Sequence, residues 1–349
     1  MNKIFKICLS LIITLASLAA AQDVIVCHDS SKFYGWPANE GIWSWGNEIV
    51  VGFNEATYLY NPDGHSYDTS DPIYTIQARS TDGGSTWSIE RPTPLQRSKA
   101  ALPMPSSINY THPDFAMKIR KSVFWISYDK AQTWMGPFDM PDFDLPGSTS
   151  RTDYILDSQS SALMFLSVKK PDDIEGRTMV AQTVNGGRTI NFLSFIAPCP
   201  DINVGDHYYT IMPSSVRISE DELIVALRTR EGTTKVIEIY SSEDNGKSWE
   251  YLSTPVTGAW NPPSMIKLSD GRICLTYGYR SSPMGIRAKI SSNDGQSWGS
   301  EINLRTDAAS WDMGYPRSIQ RSDGKVVTVY YYTTSSTTQQ HIAATIWQP

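Results

Sequence analysis

Short runs of apolar and aromatic residues, each bounded by polar turns, recur along most of this chain. Four such runs are Glu48–Phe53, Leu223–Leu227, Arg272–Tyr279 and Lys325–Tyr332. Runs of this length that are rich in β-branched and aromatic residues are typical of strands, and no long segment has the 3.6-residue period of an amphipathic helix. The pattern therefore predicts an all-β protein.

One polar turn motif is repeated. The pattern Ser-x-Asp-x-Gly-x-x-Trp is complete at Ser80–Trp87 and Ser242–Trp249, and looser copies occur at Ser127–Trp134, Thr183–Ile190 and Ser291–Trp298. In such a turn the Asp or Asn side chain accepts hydrogen bonds from the following backbone, Gly adopts a positive φ and Trp anchors the turn on apolar surface. Successive copies start roughly 47 to 59 residues apart, a spacing close to that of radially repeated β-sheets.

The strands group into units with the same period. Five units open with a residue–proline pair before a short strand: Trp36-Pro37, His112-Pro113, Met212-Pro213, Asn261-Pro262 and Tyr315-Pro316. A sixth unit, residues 151–168, lacks the proline but fits the spacing. Proline cannot donate to a ladder and belongs at the first position of a strand. We therefore predict a six-bladed β-propeller with four strands per blade, closed by pairing of Asp23–Cys27 with Ile342–Trp347.

The first 21 residues have the features of an export signal. Lys3 and Lys6 precede the apolar run Ile7–Leu18, and three alanines, 19–21, offer a cleavage site. We therefore expect one propeller domain over residues 22–349, exported to the periplasm or the extracellular space. No later stretch has enough consecutive apolar residues for a membrane-spanning helix.

The net charge and the cysteine content limit the classes of ligand and cofactor that we expect. The formal net charge of −6 becomes about −8 without the two signal lysines, and so acidic a chain is not expected to bind nucleic acid. A small anionic ligand is compatible with it, because such a ligand responds to local arginines. Cys27, Cys199 and Cys274 have no metal-binding spacing with the histidines, so we expect no metal and no other cofactor. The sequence gives no indication of the oligomeric state.

Antiparallel pairing within a blade brings the start of the inner strand and the end of the second strand to one face. Strand starts contribute Trp36, Asn39, His112, Arg151, Asp153, Asn261 and Tyr315, and second-strand ends contribute Asn54, Glu55, Lys170, Arg228, Arg280 and Tyr331. The repeated turns fall on the opposite face. We expect the functional site at the mouth of the axis on the charged face.

The repeated turns resemble the Asp boxes of the sialidase superfamily, whose members are β-propellers in which these boxes are structural and lie away from the active site. The resemblance implies an exo-acting glycoside hydrolase with a glycan substrate that ends in an acidic sugar. Arg228 and Arg280 resemble two of the three arginines with which sialidases bind the sugar carboxylate, a contact that suits the bidentate guanidinium. Arg287 and Arg317 lie close by in sequence and could share that task.

The resemblance also suggests catalytic residues. Tyr315, in the last blade, resembles the nucleophilic tyrosine of sialidases, although it could equally be an aromatic wall of the funnel. Asp68 and Asp71, in the polar loop 61–72, are the nearest equivalents of the aspartate acid/base, and the sequence does not choose between them.

Two elements of the family pattern are absent. The Phe-Arg-Ile-Pro stretch that supplies the first arginine is replaced by Phe33–Pro37, and no acid occupies the position of the glutamate that partners the nucleophile. Arg151 could replace the arginine. The missing carboxylate could be supplied by Glu40, Glu55, Asp153 or Asp312.

Two other functions fit the same fold. His112 could be the general base of a polysaccharide lyase or of another propeller glycosidase. Alternatively, the protein could bind carbohydrate without catalysis, with sugar rings stacked on tryptophans. The tryptophans considered for that role are Trp36, Trp43, Trp45 and Trp311.

Overall fold

The computed structural model describes residues 21–95, 100–198, 208–258 and 261–349. Nearly all of the expected export signal, and Cys199, lie outside the described residues. The described chain is all-β and forms six small sheets arranged as the blades of a propeller, as the sequence predicts. Within these ranges, no helix has the length and apolar character needed to cross a membrane.

Blades 1 to 3 are built from the first half of the chain. Blade 1 contains β2 (Lys32–Gly35), α1 (Pro37–Glu40), β3 (Ile42–Trp45), β4 (Glu48–Thr57), β5 (Tyr74–Ser80) and β6 (Ser88–Glu90), and a short 3₁₀ turn, Thr93–Leu95, follows it. Blade 2 contains β7 (Ala116–Arg120), β8 (Val123–Ser127) and β9 (Met135–Asp139). Blade 3 contains β10 (Tyr154–Leu156), β11 (Ala162–Lys169), β12 (Glu175–Thr183) and β13 (Asn191–Phe195).

Blades 4 to 6 are more regular. Blade 4 contains β14 (Tyr208–Arg217), β15 (Leu223–Glu231), β16 (Thr234–Ser242) and β17 (Glu250–Thr257). Blade 5 contains β18 (Ser264–Lys267), β19 (Ile273–Tyr279), β20 (Gly285–Ser291) and β21 (Ile302–Arg305). Blade 6 contains β22 (Gly314–Gln320), β23 (Val326–Tyr332) and β24 (His341–Trp347), and its outer strand is β1 (Gln22–Cys27) from the other end of the chain.

Pairing of β1 with β24 is antiparallel and closes the ring as predicted. The apolar core is divided into layers between neighbouring blades. Between blades 1 and 6, for example, Phe33, Ile49 and Phe53 pack against Val327 and Ile342. The strands are buried on both faces by these layers, which explains why their sequences read as nearly continuous apolar runs.

Two blades depart from the predicted four strands. In blade 1, Pro37 begins the helix α1 instead of a strand, because proline is favoured in the first turn of a helix. The strands β2 and β3 therefore pair with separate halves of β4. In the part of blade 2 that the structure describes, the sheet has three strands, and α1 lies beside β7, where its Glu40 forms ion pairs with Lys118 and Arg120.

The repeated turns join neighbouring blades. Asp82 accepts hydrogen bonds from the backbone N–H of Ser85 and Thr86 at 3.0 and 2.9 Å, as the motif predicts. The motif tryptophans reach adjacent blades: Trp134 Nε1 donates to Gln77 Oε1 at 3.1 Å, and Trp249 Nε1 donates to Ser194 Oγ at 3.1 Å. In blades 1 and 3 to 5 the motif follows the strand that is third in the order across the sheet (β5, β12, β16 and β20), and in blade 2 it follows β8. Strand β7 therefore corresponds to a second strand.

Candidate active site

A polar cavity of about 350 Å³ opens on the face opposite the repeated turns. Its lining includes side chains from blades 1, 2, 3 and 6: Trp36, Asn39, His65, Arg120, Lys121, Arg151, Glu175 and Tyr315. Arg228 of blade 4 and Arg280 of blade 5 reach Tyr315 at its edge. The cavity is therefore a meeting point of all six blades, at the position that the strand polarity predicts.

Backbone geometry directs Tyr315 toward this cavity. Tyr315 has φ +51° and lies in a bulge of β22, where the register with β23 shifts between Gly314 and Arg317. Gly314 has φ +105°, and a Cβ placed on it would lie 2.2 Å from Asn261 Oδ1, so only glycine fits there. Asn261 Oδ1 accepts a hydrogen bond from the Tyr315 backbone N–H at 3.0 Å. Strained backbone of this kind is commonly maintained where a side chain must be presented at a functional site.

The same strained geometry occurs in two other blades. Trp36 and Met212 have φ +59° and +55°, and each precedes a proline, as Tyr315 does. The residue–proline pairs of blades 1, 4 and 6 therefore interrupt the inner strand instead of beginning it. In blade 4 the interruption is a shift in the register of β14 with β15 between Ile211 and Ser214. Each interruption turns a side chain out of the ladder.

Three arginines act on the Tyr315 phenol. Arg228 Nη1 donates a hydrogen bond to Tyr315 Oη at 3.2 Å, and the Arg280 guanidinium carbon lies 5.8 Å from the Tyr315 ring centroid. Burial raises the pKa of Tyr315, but the positive charges of Arg228, Arg280 and Arg151, in that order, outweigh it and hold this pKa below the ordinary value. The Tyr315 phenol therefore loses its proton more readily than an ordinary tyrosine does.

Neighbouring groups hold two of these arginines in place. Arg280 Nη2 donates to the Met313 carbonyl at 3.0 Å and to Tyr331 Oη at 3.1 Å. Arg151 Nη1 donates to the Thr149 carbonyl at 2.6 Å and also bonds to Glu175. Glu175 is the carboxylate among the side chains that line the cavity.

A histidine–aspartate pair forms one wall of the cavity. His65 Nδ1 lies 2.6 Å from Asp312 Oδ1. Asp312 is buried and also accepts hydrogen bonds from Tyr331 Oη at 2.7 Å and from Gln340 Nε2 at 3.0 Å. The His65 ring is packed edge-to-face on Trp36, with 5.0 Å between centroids, but about a third of its side chain is exposed. A carboxylate that holds Nδ1 fixes the orientation of the ring, so His65 is suited to proton transfer.

Arg120 is a further cavity residue, and it is not among the strand-end residues that the sequence predicts for this face. It ends β7, whose Ala116 pairs with Ser127 at the start of a repeated turn, so Arg120 lies at the end remote from that turn. Its guanidinium bonds to the buried Glu40 and to Thr75. The distance along the chain from Arg120 to the following turn motif could have predicted this position, because it identifies β7 as a second strand.

The two aspartates predicted as acid/base do not line this cavity. Asp68 Oδ1 accepts hydrogen bonds from the N–H and Oγ of Ser70 at 2.9 and 2.6 Å, and these bonds lower the pKa of Asp68. Asp71 lines a separate cavity with Lys32 and Glu55. The loop instead contributes His65 and Tyr67 to the axis cavity.

His112 lies on the side of the repeated turns. Its ring packs edge-to-face on Tyr128, with 5.1 Å between centroids. The carbonyl of Asp114, two residues later, accepts a hydrogen bond from Lys130 in the blade 2 turn at 3.0 Å. The sequence predicts His112 at an axis-facing strand start, and this prediction is wrong because β7 runs in the opposite direction to an inner strand.

Arg287 and Arg317 are also engaged elsewhere. Arg287 bonds to Glu301 and to the Pro283 carbonyl, and its guanidinium lies 3.7 Å from the Tyr279 ring centroid. Arg317 is buried beneath α1, where it donates to the Ala38 carbonyl at 2.8 Å. Neither is among the residues that line the axis cavity.

The four tryptophans considered for sugar binding fall into two pairs. Trp36 lines the cavity, and Trp311 lies beside His65 with 37% of its surface exposed. Trp43 and Trp45 pack in the layer between blades 1 and 2, where the Trp43 and Trp134 centroids are 5.2 Å apart.

Comparison with solved structures identifies relatives of the fold. A protein of unknown function from Dyadobacter fermentans is 20% identical, with a TM-score of 0.73 over 95% of this chain and 100% of that one. A Hadza microbial sialidase is 13% identical, with a TM-score of 0.57 over 90% of this chain and 66% of its own. An α-L-arabinanase from Penicillium chrysogenum is 11% identical, with a TM-score of 0.57 over 94% and 98%. No curated protein matches the chain.

A family model gives the more specific assignment. The model of the BNR repeat-like domain matches residues 114–328, which extends from blade 2 into blade 6. This range includes four of the five repeated turns and both Arg228 and Tyr315. The chain therefore belongs to the BNR repeat-like domain family and has the sialidase-like β-propeller fold expected from its repeated turns.

Proposed function

We propose that this protein is an exo-acting glycoside hydrolase that removes a terminal acidic sugar from a glycan. The observation that carries the proposal is the convergence of three arginines on the phenol of Tyr315 at the axis cavity. The sialidase and the arabinanase with similar folds support glycan chemistry in general. The export signal expected at residues 1–21 would direct the activity outside the cytoplasm.

The arginines support an anionic sugar. Arg228 and Arg280 reach the same tyrosine from adjacent blades, and Arg151 faces them across the cavity. Guanidinium groups bind carboxylates through paired N–H donors, which gives both affinity and orientation.

Tyr315 is suited to act as the nucleophile. A phenol must lose its proton to attack, and the lowered pKa of Tyr315 favours that loss. The phenolate oxygen would form a bond to the anomeric carbon as the bond to the leaving oxygen breaks. Water would then attack the same carbon, and release of the sugar would restore the phenolate. The arginines make ionisation of the phenol easier but accept no proton, so the phenol proton would pass to solvent before the attack.

His65 is suited to supply the proton to the leaving oxygen. Its ring borders the cavity and is oriented by Asp312. A histidine can donate a proton in the first step and accept one from water in the second. In the proposed site, His65 has the acid/base role that the sequence suggests for Asp68 or Asp71.

The test is a hydrolysis assay with nitrophenyl glycosides of sialic acid, glucuronic acid and galacturonic acid, beside neutral pentosides and hexosides. The proposal predicts turnover of at least one acidic sugar, and loss of that turnover in Tyr315→Phe with binding retained. Turnover of neutral sugars alone would contradict the acidic specificity. Binding without turnover would leave a carbohydrate-binding propeller, and an unsaturated product would indicate a lyase.

A further inference from the structure

A second group of cations lines the axis cavity on the side away from Arg228 and Arg280. Arg120 ends β7 in blade 2, Lys121 follows it in the turn to β8, and both line the cavity. The six blades follow one another around a closed ring, so blade 2 lies across the axis from blade 5, which carries Arg280. We call Arg120 and Lys121 the blade 2 cations. The cavity therefore has positive charge on two opposite sides.

A buried carboxylate fixes one of the blade 2 cations. Arg120 Nη1 lies 2.5 Å from Glu40 Oε1 and also donates to Thr75 Oγ1. Glu40 Oε2 lies 2.5 Å from the Nζ of Lys118, and both of these side chains are buried. One carboxylate thus serves two cations, and their joint charge remains positive. Both bonds of Arg120 use Nη1, and a guanidinium has two further nitrogens that donate, so Arg120 is held in position and is still able to bind an anion.

Lys121 is presented by a two-residue turn. Arg120 pairs with Val123 at the end of the β7–β8 ladder, and Lys121 has φ +53° in the turn between them. Its backbone N–H donates to the Ser150 carbonyl at 2.7 Å, and its own carbonyl accepts a hydrogen bond from Ser148 Oγ at 2.8 Å. Positive φ is uncommon for residues other than glycine, and these two bonds maintain it. The Lys121 side chain is exposed, and within the described residues no carboxylate forms an ion pair with it.

The cations on the two sides do not share a carboxylate. Arg151, in the blade between them, is paired with Glu175, and no carboxylate among the described residues forms an ion pair with Arg228 or Arg280. The cavity, of about 350 Å³, has room for a whole small ligand. A sugar whose carboxylate is bound by Arg228 and Arg280 would therefore present the opposite side of its ring to the blade 2 cations.

We propose that the blade 2 cations bind a second anionic group on the terminal sugar. This inference rests on the proposed function and names its substrate class: a hexuronic acid that carries a sulfate ester at C2 or C3. In the pyranose ring the carboxylate is attached to C5, C2 and C3 lie on the far side of the ring, and C4 is adjacent. A sulfate ester keeps its negative charge at any pH suited to an enzyme, and its three acceptor oxygens match a guanidinium fork and an ammonium group.

The test uses nitrophenyl glycosides of glucuronic and galacturonic acids, either unsulfated or with one sulfate at C2, C3 or C4. For one of these acids, kcat/KM for the C2 or the C3 sulfate should be at least about tenfold higher than for the unsulfated glycoside. The C4 sulfate has the same charge, but its position beside the carboxylate does not reach the blade 2 cations. It should therefore give no such gain.

The variant Lys121→Gln removes one blade 2 cation and leaves the ion pairs of Glu40 in place. The ratio of kcat/KM for the sulfated glycoside to that for the unsulfated one should fall about five- to tenfold, a limited loss because Lys121 is exposed. Lys247→Gln is the matched control. Lys247 is exposed in the repeated turn of blade 4, on the opposite face, so its substitution removes the same charge and should leave the ratio unchanged.

The outcomes separate this inference from the proposed function. If acidic glycosides are turned over without a gain from a C2 or C3 sulfate, or with an equal gain from the C4 sulfate, the inference is overturned and the hydrolase remains. An unchanged ratio in Lys121→Gln also overturns it. If no glycoside is turned over, the hydrolase fails, and calorimetric titration with free sulfated and unsulfated uronic acids decides. Tighter binding of the C2 or C3 sulfate that weakens in Lys121→Gln but not in Lys247→Gln supports the inference, whereas equal binding, or none, overturns it.

Discussion

Replacement of Asp312 by Asn tests the proposed proton donor. Asp312 accepts hydrogen bonds on both oxygens, from His65 and Tyr331 on Oδ1 and from Gln340 on Oδ2. Asparagine has nearly the same shape but no charge, and one of its positions is an NH₂ donor. If that NH₂ faces the Gln340 amide, which can turn its oxygen toward it, the bonds from His65 and Tyr331 remain but lose the strengthening that the negative charge gives them.

The size of the effect follows from these contacts. A hydrogen bond to a charged group contributes about 1.5–3 kcal/mol, which corresponds to about 10- to 150-fold in rate if it is lost in the transition state. General acid catalysis as a whole contributes about 10²–10⁴-fold. We therefore expect Asp312→Asn to lower kcat/KM by about 100-fold on a substrate whose leaving group needs a proton.

The assay uses leaving groups of different basicity on the same acidic sugar. A sugar alkoxide leaves only when protonated, whereas a nitrophenolate leaves without help, so the loss on the nitrophenyl glycoside should be less than about tenfold. Asp244→Asn, in a repeated turn on the opposite face, is the control and should leave both rates unchanged. Equal losses on both substrates in a folded Asp312→Asn protein would refute the role of this pair in proton transfer.

Three other substitutions test separate parts of the structure. Arg228→Lys should raise KM at least about tenfold for the acidic glycoside despite the retained charge, because a lysine cannot form the paired contact; an unchanged KM would count against carboxylate binding. Asp82→Ala should lower the free energy of unfolding by about 1–2 kcal/mol. The value is modest because Asp82 is exposed and solvent screens its bonds. Chemical denaturation measures this change, and a loss of turnover in the folded protein would contradict a structural role. Burial raises the pKa of Asp153 to about 7, although the charge of Arg317 opposes this rise. Folding therefore favours the protonated form, and the free energy of unfolding should fall as pH rises from about 4 to 7, by on the order of 1 kcal/mol per pH unit. In Asp153→Asn this part of the pH dependence should be absent when the free energy of unfolding is measured by urea titration at about pH 5 and pH 7. The same pH dependence in both proteins would contradict the raised pKa of Asp153.

The sequence predicted those features that depend on local patterns. The turn at Ser80–Trp87 closes through bonds between residues at most four positions apart, so its motif is visible in the chain. Six apolar repeats were sufficient to predict six blades. The meeting of Arg228, Arg280 and Tyr315 followed from strand polarity in blades 4 to 6, where the units are regular.

Where the blades are irregular, the sequence was a poorer guide. Among the described residues, the first strand of blade 2 is β7, which corresponds to a second strand, so the expected unit at His112 was assigned in the wrong direction and His112 was placed on the wrong face. The helix α1 beside β7 belongs to blade 1 and is held by Glu40, which is distant from Lys118 and Arg120 in sequence.

Loop conformation was equally hidden. His65 and Asp312 are 247 residues apart, and the pairing depends on the closure of the ring between blades 1 and 6. The sequence of the loop 61–72 does not show which of its polar side chains line the axis cavity. The backbone bonds of Asp68 with Ser70 turn that carboxylate outward, and this could only be seen in three dimensions.

The proposed function requires that the arginines of the axis cavity bind a sugar carboxylate. Calorimetric titration of the wild-type protein with sialic, glucuronic and galacturonic acids, each beside its uncharged methyl ester, measures this directly. The predicted result is binding of at least one acid, with affinity for its ester lower by about 100-fold or more because charge-assisted bonds to the arginines are lost. Equal affinity for an acid and its ester, or binding of neutral sugars only, would contradict the claim.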